Sequence, residues 1–173
     1  RAAFRRNDIS INPSLIFSKM ANTYSQIYIQ VIFAVKFRES KISDEMKNEV
    51  EKYIYGIFNN KKQKVLAIYA NADHIHIFFC YRNISISIPD LMKVVKVEST
   101  NFINEKKFLR SPFYWQEGYG AFSYSKSQKE NVINYILNQK EHHQKRSFKD
   151  EYIGFLNKFE IDFKNEYIFD FLD

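Results

Sequence analysis

The apolar and polar positions of the chain fall into two periods that alternate along its length. From Thr23 to Phe37 the residues are β-branched and aromatic with no helix cap, which predicts a long strand. Ser43 then stands as a helix cap with Asp44 and Glu45 in the first turn. Met46, Val50, Tyr53, Ile54 and Ile57 follow at a 3.6-residue period, and Asn59 to Lys62 stops the helix. Val65–Ala70 and His74–Tyr81 read as two short strands joined by the turn residues Asn71, Ala72 and Asp73. Pro89 fits the first turn of a helix that presents Leu91, Met92, Val95, Phe102 and Ile103 inward and runs to about Lys107.

Phe113–Tyr124 reads as an extended aromatic stretch in which Gly118 and Gly120 imply a bulge or kink. Ser127 to Glu130 has the form of a capping box and opens another helix. Ser147 begins a last amphipathic helix with Phe148, Tyr152, Phe155, Leu156 and Phe159 on one side, a stripe expected to be docked packing. The order β-α-β-β-α-β followed by helices predicts an α+β fold. It is the ferredoxin-like, RRM-like split βαβ antiparallel sheet, with two crossover helices on one face and the other face free to hold a site.

Composition narrows the class. With 173 residues, 45% of them hydrophobic and 17% aromatic, the chain has ample material for a buried core, which excludes a disordered protein. One cysteine, Cys80, excludes a disulfide scaffold and a zinc knuckle and suits a reducing cytoplasm. No apolar run approaches the roughly 18 residues of a membrane span, so no membrane partner is expected. Residues 1–19 show no sustained period and precede Met20, and are expected to be a poorly ordered upstream extension. The net charge of +6 is unevenly spread: residues 20–149 carry +8, whereas residues 150–173 carry −5. A basic body with an acidic tail suits a polyanionic partner, and a basic solvated surface with no partner is the plain alternative.

Two groups of residues carry candidate chemistry. In the strand Asp73-His74-Ile75-His76-Ile77-Phe78, residues two apart share a face, so His74 and His76 point together while Ile75 and Ile77 enter the core. Paired imidazoles can bind a divalent cation; the alternative is a pair of half-exposed strand histidines. In Tyr135-Ile136-Leu137-Asn138-Gln139, Tyr135 and Gln139 are four apart and neighbours on a helix face. A tyrosine there is ordinarily core packing, and as a nucleophile it needs activation, because a pKa near ~10 leaves little phenolate at neutral pH.

Taken together, His-hydrophobic-His on a central strand and Tyr-x-x-x-Gln on a later helix resemble the single-tyrosine HUH transposases of insertion sequences that move as single-stranded DNA. The resemblance runs from about Met20 to Lys149 and includes the segment from Trp115 to Ser123. It implies a division into the extension 1–19, a catalytic domain 20–149 and an acidic amphipathic tail 150–173, in a prokaryotic cytoplasm. It further implies Mg²⁺ or Mn²⁺ held by His74, His76 and Gln139, with Tyr135 as the nucleophile that forms a 5′-phosphotyrosine link and frees a 3′-hydroxyl. No water or nucleotide cofactor enters, so the step can reverse into strand joining. Hairpin-ended single-stranded DNA and a second copy of the chain are the implied partners.

Lys96 and Ser99 match a family segment that contacts DNA, with Glu98 as a departure. His142 and His143 border the site if the helix continues, where they are candidates for phosphate contact or a plain helix end. The rival readings are a single-stranded RNA-binding module, whose Lys/Arg-Gly-Phe/Tyr-Gly signature is absent, and a silent domesticated relative that only binds hairpin DNA. A replication-initiator or relaxase nickase is a third.

Overall fold

A computed structural model describes residues 24–37, 41–143 and 146–171; the expected extension 1–19 lies outside them. Strand β1 (Tyr28–Ala34) leads into helix α1 (Asp44–Asn60), then strands β2 (Lys64–Ala70) and β3 (His74–Cys80), helix α2 (Ile88–Glu105) and strand β4 (Gly120–Tyr124). The four strands form one antiparallel sheet in the order β2-β3-β1-β4. This is the split βαβ arrangement expected from the sequence. Three further helices follow: α3 (Lys129–Leu137), α4 (Gln139–His142) and α5 (Phe148–Lys158).

The pairing register fixes which side chains share a face. Ile32 lies opposite His76 and Ala34 opposite His74, while Val31 and Phe33 lie opposite Ile77 and Ile75. The second set joins Val50, Ile54, Leu91 and Val95 of the two crossover helices in the main core. Phe58 meets Phe79 edge to face at 4.9 Å, and Trp115 meets Phe33 at 4.7 Å.

The opposite sheet face differs from expectation. It is covered rather than free. Val132 and Ile136 of α3 pack with Tyr28, Ala67 and Phe78 over the β2–β3 side. Phe155 of α5 stacks on Phe122 of β4 at 5.1 Å, and Tyr152 meets the same ring edge to face at 6.5 Å. The apolar stripe of α5 is indeed docked packing, and it closes over the sheet because an uncovered Phe122 would leave a large aromatic surface in water.

Several boundaries moved for local reasons. The first strand is only seven residues long, and the extended segment before β4 forms no strand there but an isolated bridge between Val35 and Trp115. Gly118, at φ 74°, turns the chain in a way that side chains resist. The capping box lies at Ser125 and Gln128, two residues earlier than predicted, on a 3₁₀ turn that precedes α3. Ser87 and Ser147 cap α2 and α5 through the backbone N–H groups of Asp90 and Asp150. Ser43 occupies the cap position of α1 without making that hydrogen bond.

Candidate active site

His74 and His76 stand on β3 toward the face covered by α3 and α5, and both are fully buried rather than half-exposed. Their rings lie 4.9 Å apart. The sequence places Tyr135 and Gln139 on one helix, but α3 ends at Leu137 and a break at Asn138 (φ −96°, ψ 19°) starts α4 at Gln139. The bond from Asn138 N–H to Asn134 C=O closes α3 and that from His142 N–H to Asn138 C=O opens α4, and both side chains still reach the site. Tyr135 comes within 6.2 Å of the His76 ring, between centroids, and Gln139 is fully buried.

All of these groups meet at Glu151, in the first turn of α5. Tyr135 donates its hydroxyl hydrogen to Glu151 Oε1, and Gln139 Nε2 donates to the same oxygen at 2.9 Å. Glu151 Oε2 lies 3.6 Å from His74 Nε2, 3.4 Å from His76 Nε2 and 3.2 Å from His143 Nε2. Sequence reasoning placed Glu151 in the acidic tail and missed it. The visible signal was one acid on the apolar side of α5, one residue before Tyr152.

An outer layer orients the imidazoles. His74 Nδ1 is 2.7 Å from Asp73 Oδ1, so it carries the proton and leaves Nε2 with its lone pair toward the site. Asn71 Nδ2 touches that Nε2 at 2.9 Å and donates to Gln139 Oε1 at 3.2 Å. Gln30 Nε2 donates to His76 Nδ1 at 3.0 Å, and Gln30 Oε1 accepts from Tyr124 Oη at 2.8 Å. Phe148 stacks on His74 at 3.9 Å.

Charge in the site is tightly coupled. Burial opposes ionisation of Glu151, but the facing imidazoles of His76, His143 and His74 hold its carboxyl well below the usual carboxylate range. Burial likewise opposes a charged His74, yet Asp73 and Glu151 outweigh it and raise its pKa. At His76 burial prevails and the pKa is lowered. Burial and the neighbouring Glu151 charge push the Tyr135 phenol well above its ordinary range, so its proton is firmly held.

A cation fits this donor set. Among the described residues, His76 Nε2, His143 Nε2 and Glu151 Oε2 are buried with no hydrogen-bond partner. Orphaned polar atoms of this kind are costly, and they face one another within one small volume. With His74, their ligand atoms all lie within 4.8 Å. His143, which the sequence suggested only as a phosphate contact or helix end, belongs to this group.

The remaining expected contacts are distributed differently. His142 is exposed with its ring 4.8 Å from Tyr135. Ser99 is buried; its hydroxyl donates to Val95 C=O and accepts from Trp115 Nε1–H at 2.9 Å. That hydroxyl faces the core. Lys96 donates to the backbone carbonyls of Gln116, at 2.8 Å, and Gly118. Beside Tyr135 opens a cleft of about 360 Å³ whose lining includes Gln128, Asn131, Arg146 and Lys158.

Comparison with known proteins decides the family. The family model described as "Transposase IS200 like" matches residues 23–139. The chain belongs to the IS200-like transposase family. All four of His74, His76, Tyr135 and Gln139 lie inside the matched segment of the transposase, and His143 and Glu151 lie beyond it. Two solved structures share its fold. One is a candidate transposase from Deinococcus radiodurans R1, 20% identical, with a TM-score of 0.55, covering 70% of this chain and 97% of the other. The second is a REP-associated tyrosine transposase bound to a REP hairpin, 12% identical, with a TM-score of 0.54, covering 73% of this chain and 74% of the other. A search of curated proteins returns no relative of this transposase. No helix among the described residues is long and apolar enough to cross a membrane.

Proposed function

We propose that this transposase cleaves and rejoins single-stranded DNA at hairpin ends, with Tyr135 as the nucleophile. The observation that carries the reading is the convergence of Tyr135, Gln139, His74 and His76 on one anionic group, the Glu151 carboxylate. A phenol and an amide N–H on one oxygen of an anion, with two imidazoles able to hold a cation beside the other, are groups that a scissile phosphate requires, and Glu151 marks where its oxygens would lie. The phenol oxygen forms a bond to phosphorus as the P–O3′ bond breaks. The phosphate stays on the 5′ side as a phosphotyrosine, and the phenol proton ends on the freed 3′-oxygen.

His74, His76 and Gln139 would hold Mg²⁺ or Mn²⁺, which when bound supplies positive charge to the phosphate oxygens and the departing 3′-oxygen. Asp73 and Gln30 keep the two imidazoles oriented. Arg146, Lys158 and His142 beside Tyr135 suit the flanking phosphates. The outer edge of β4 bears no strand among the described residues, and pairing of two such edges would join two copies of the chain in one sheet.

The test uses single-stranded hairpin oligonucleotides with Mn²⁺ or Mg²⁺. The parent protein is expected to form a denaturation-resistant protein–DNA adduct. Tyr135→Phe is expected to retain hairpin binding and form none. Equal hairpin binding with no adduct from the parent under any divalent ion would favour the binding-only reading, which the firmly held Tyr135 proton also suits.

A further inference from the structure

We propose that His74, His76, His143 and Glu151 form a closed four-ligand site for a tetrahedral transition-metal ion of the zinc type, and that the bound ion clamps α5 over Tyr135. Two of these ligands lie outside the set that would serve strand cleavage. Both come from the chain after Gln139: His143 follows α4, and Glu151 sits in the first turn of α5.

The ligand types, and their approach to one oxygen of Glu151, point to four-coordination, reached when atoms now within 4.8 Å of one another draw closer around an ion. Ligands at about 2.0–2.1 Å around a tetrahedral ion are about 3.3 Å from one another. The three imidazole Nε2 atoms lie 3.2, 3.4 and 3.6 Å from Glu151 Oε2. Three nitrogens and one carboxylate oxygen suit Zn²⁺ or Co²⁺ far better than Mg²⁺, which prefers oxygen and octahedral geometry. Three of the four ligand-bearing residues have an orphaned buried atom here, which an ion would satisfy, at His76 once Gln30 turns its amide oxygen toward Nδ1–H. On His74, Nδ1 is committed to Asp73, so Nε2 is its metal-facing atom. Asn71, now touching that Nε2, keeps a second partner in Gln139 Oε1.

A site with four protein ligands has no open position, which is the property of a structural rather than a catalytic centre. Its ion would tie β3 to α5 while the second oxygen of Glu151 holds the Tyr135 hydroxyl. The binding claim stands alone. Its consequence, that zinc-type ions slow cleavage by excluding the phosphate, rests on the function proposed above.

The test takes the full chain freed of metal by chelation. With one equivalent of Co²⁺, the parent is expected to show the intense visible absorption of four-coordinate cobalt. His143→Ala/Glu151→Gln is expected to lose that band and to bind at least about tenfold more weakly. Zn²⁺ is expected to slow hydrogen exchange at the α5 amides of the parent. Glu151→Gln, which keeps three imidazoles, should bind Zn²⁺ without that slowing, and circular dichroism checks that each variant is folded. Tyr135→Phe should keep both signals, so loss of the adduct and loss of the metal site are read separately. A pale six-coordinate spectrum from the parent, or α5 exchange slowed equally in Glu151→Gln, would overturn the proposal.

Discussion

Tyr135 gives its hydroxyl hydrogen to Glu151, sixteen residues further along the chain and on a different helix. The carboxylate holds the phenol's proton and, in the proposed reaction, would fill the space of the phosphate. Replacing Glu151 by Gln removes the negative charge at nearly constant volume. The Tyr135 pKa should fall, and adduct formation on hairpin DNA should quicken by roughly tenfold, equivalent to about 1.4 kcal/mol. Single-turnover adduct formation with Mn²⁺, followed on denaturing gels, measures this; an equal or slower rate would contradict it.

Ser99 accepts the indole hydrogen of Trp115 inside the core. Ser99→Ala leaves that donor unpaired and should cost about 1–3 kcal/mol of stability. Urea unfolding measures the loss. Hairpin affinity, compared where both proteins are folded, should be unchanged because the hydroxyl faces inward.

Lys96 supplies the pH dependence most open to measurement. Burial, partly offset by Glu117, lowers its pKa from 10.5 to about 8. Between about pH 8 and 10.5 the unfolded chain therefore binds the extra proton. The penalty for burying the ammonium is fully present below about pH 8 and is relieved as the pH rises toward 10.5. Melting temperatures of the parent and Lys96→Met, compared across that interval, should shift in the parent's favour with rising pH. A constant difference would contradict the assignment.

Phe155 ties α5 to the sheet through Phe122 at 5.1 Å, with the Tyr135 ring 5.8 Å away. Phe155→Ala should cost about 3 kcal/mol and loosen α5. Phe163→Ala, at a side chain 36% exposed, should cost far less. Urea midpoints of the two variants provide the comparison.

The period-two rule was sufficient to place His74 and His76 together, because a strand leaves no other choice of face. Their complete burial was not legible, since it depends on α5 folding back across the sheet. Tyr135 and Gln139 were readable as a pair, yet the break at Asn138 was not, because nothing in the composition of Ile136 to Gln139 forbids a continuous helix. Glu151 was the largest omission. An acid in the first turn of a capped helix has an adequate local reason in the helix dipole, and only the docking of α5 gives it another. Ser99 was singled out only through the family resemblance of its segment, and its burial was not legible because its partner Trp115 lies sixteen residues away.

The central claim is that Tyr135 carries the DNA during cleavage. The most direct measurement digests the denaturation-resistant adduct with protease and nuclease and locates the attached nucleotide by mass spectrometry. The account predicts a 5′-linked nucleotide on the peptide containing Tyr135, present only with a divalent ion. A nucleotide on any other residue, or an adduct that survives in Tyr135→Phe, would contradict it.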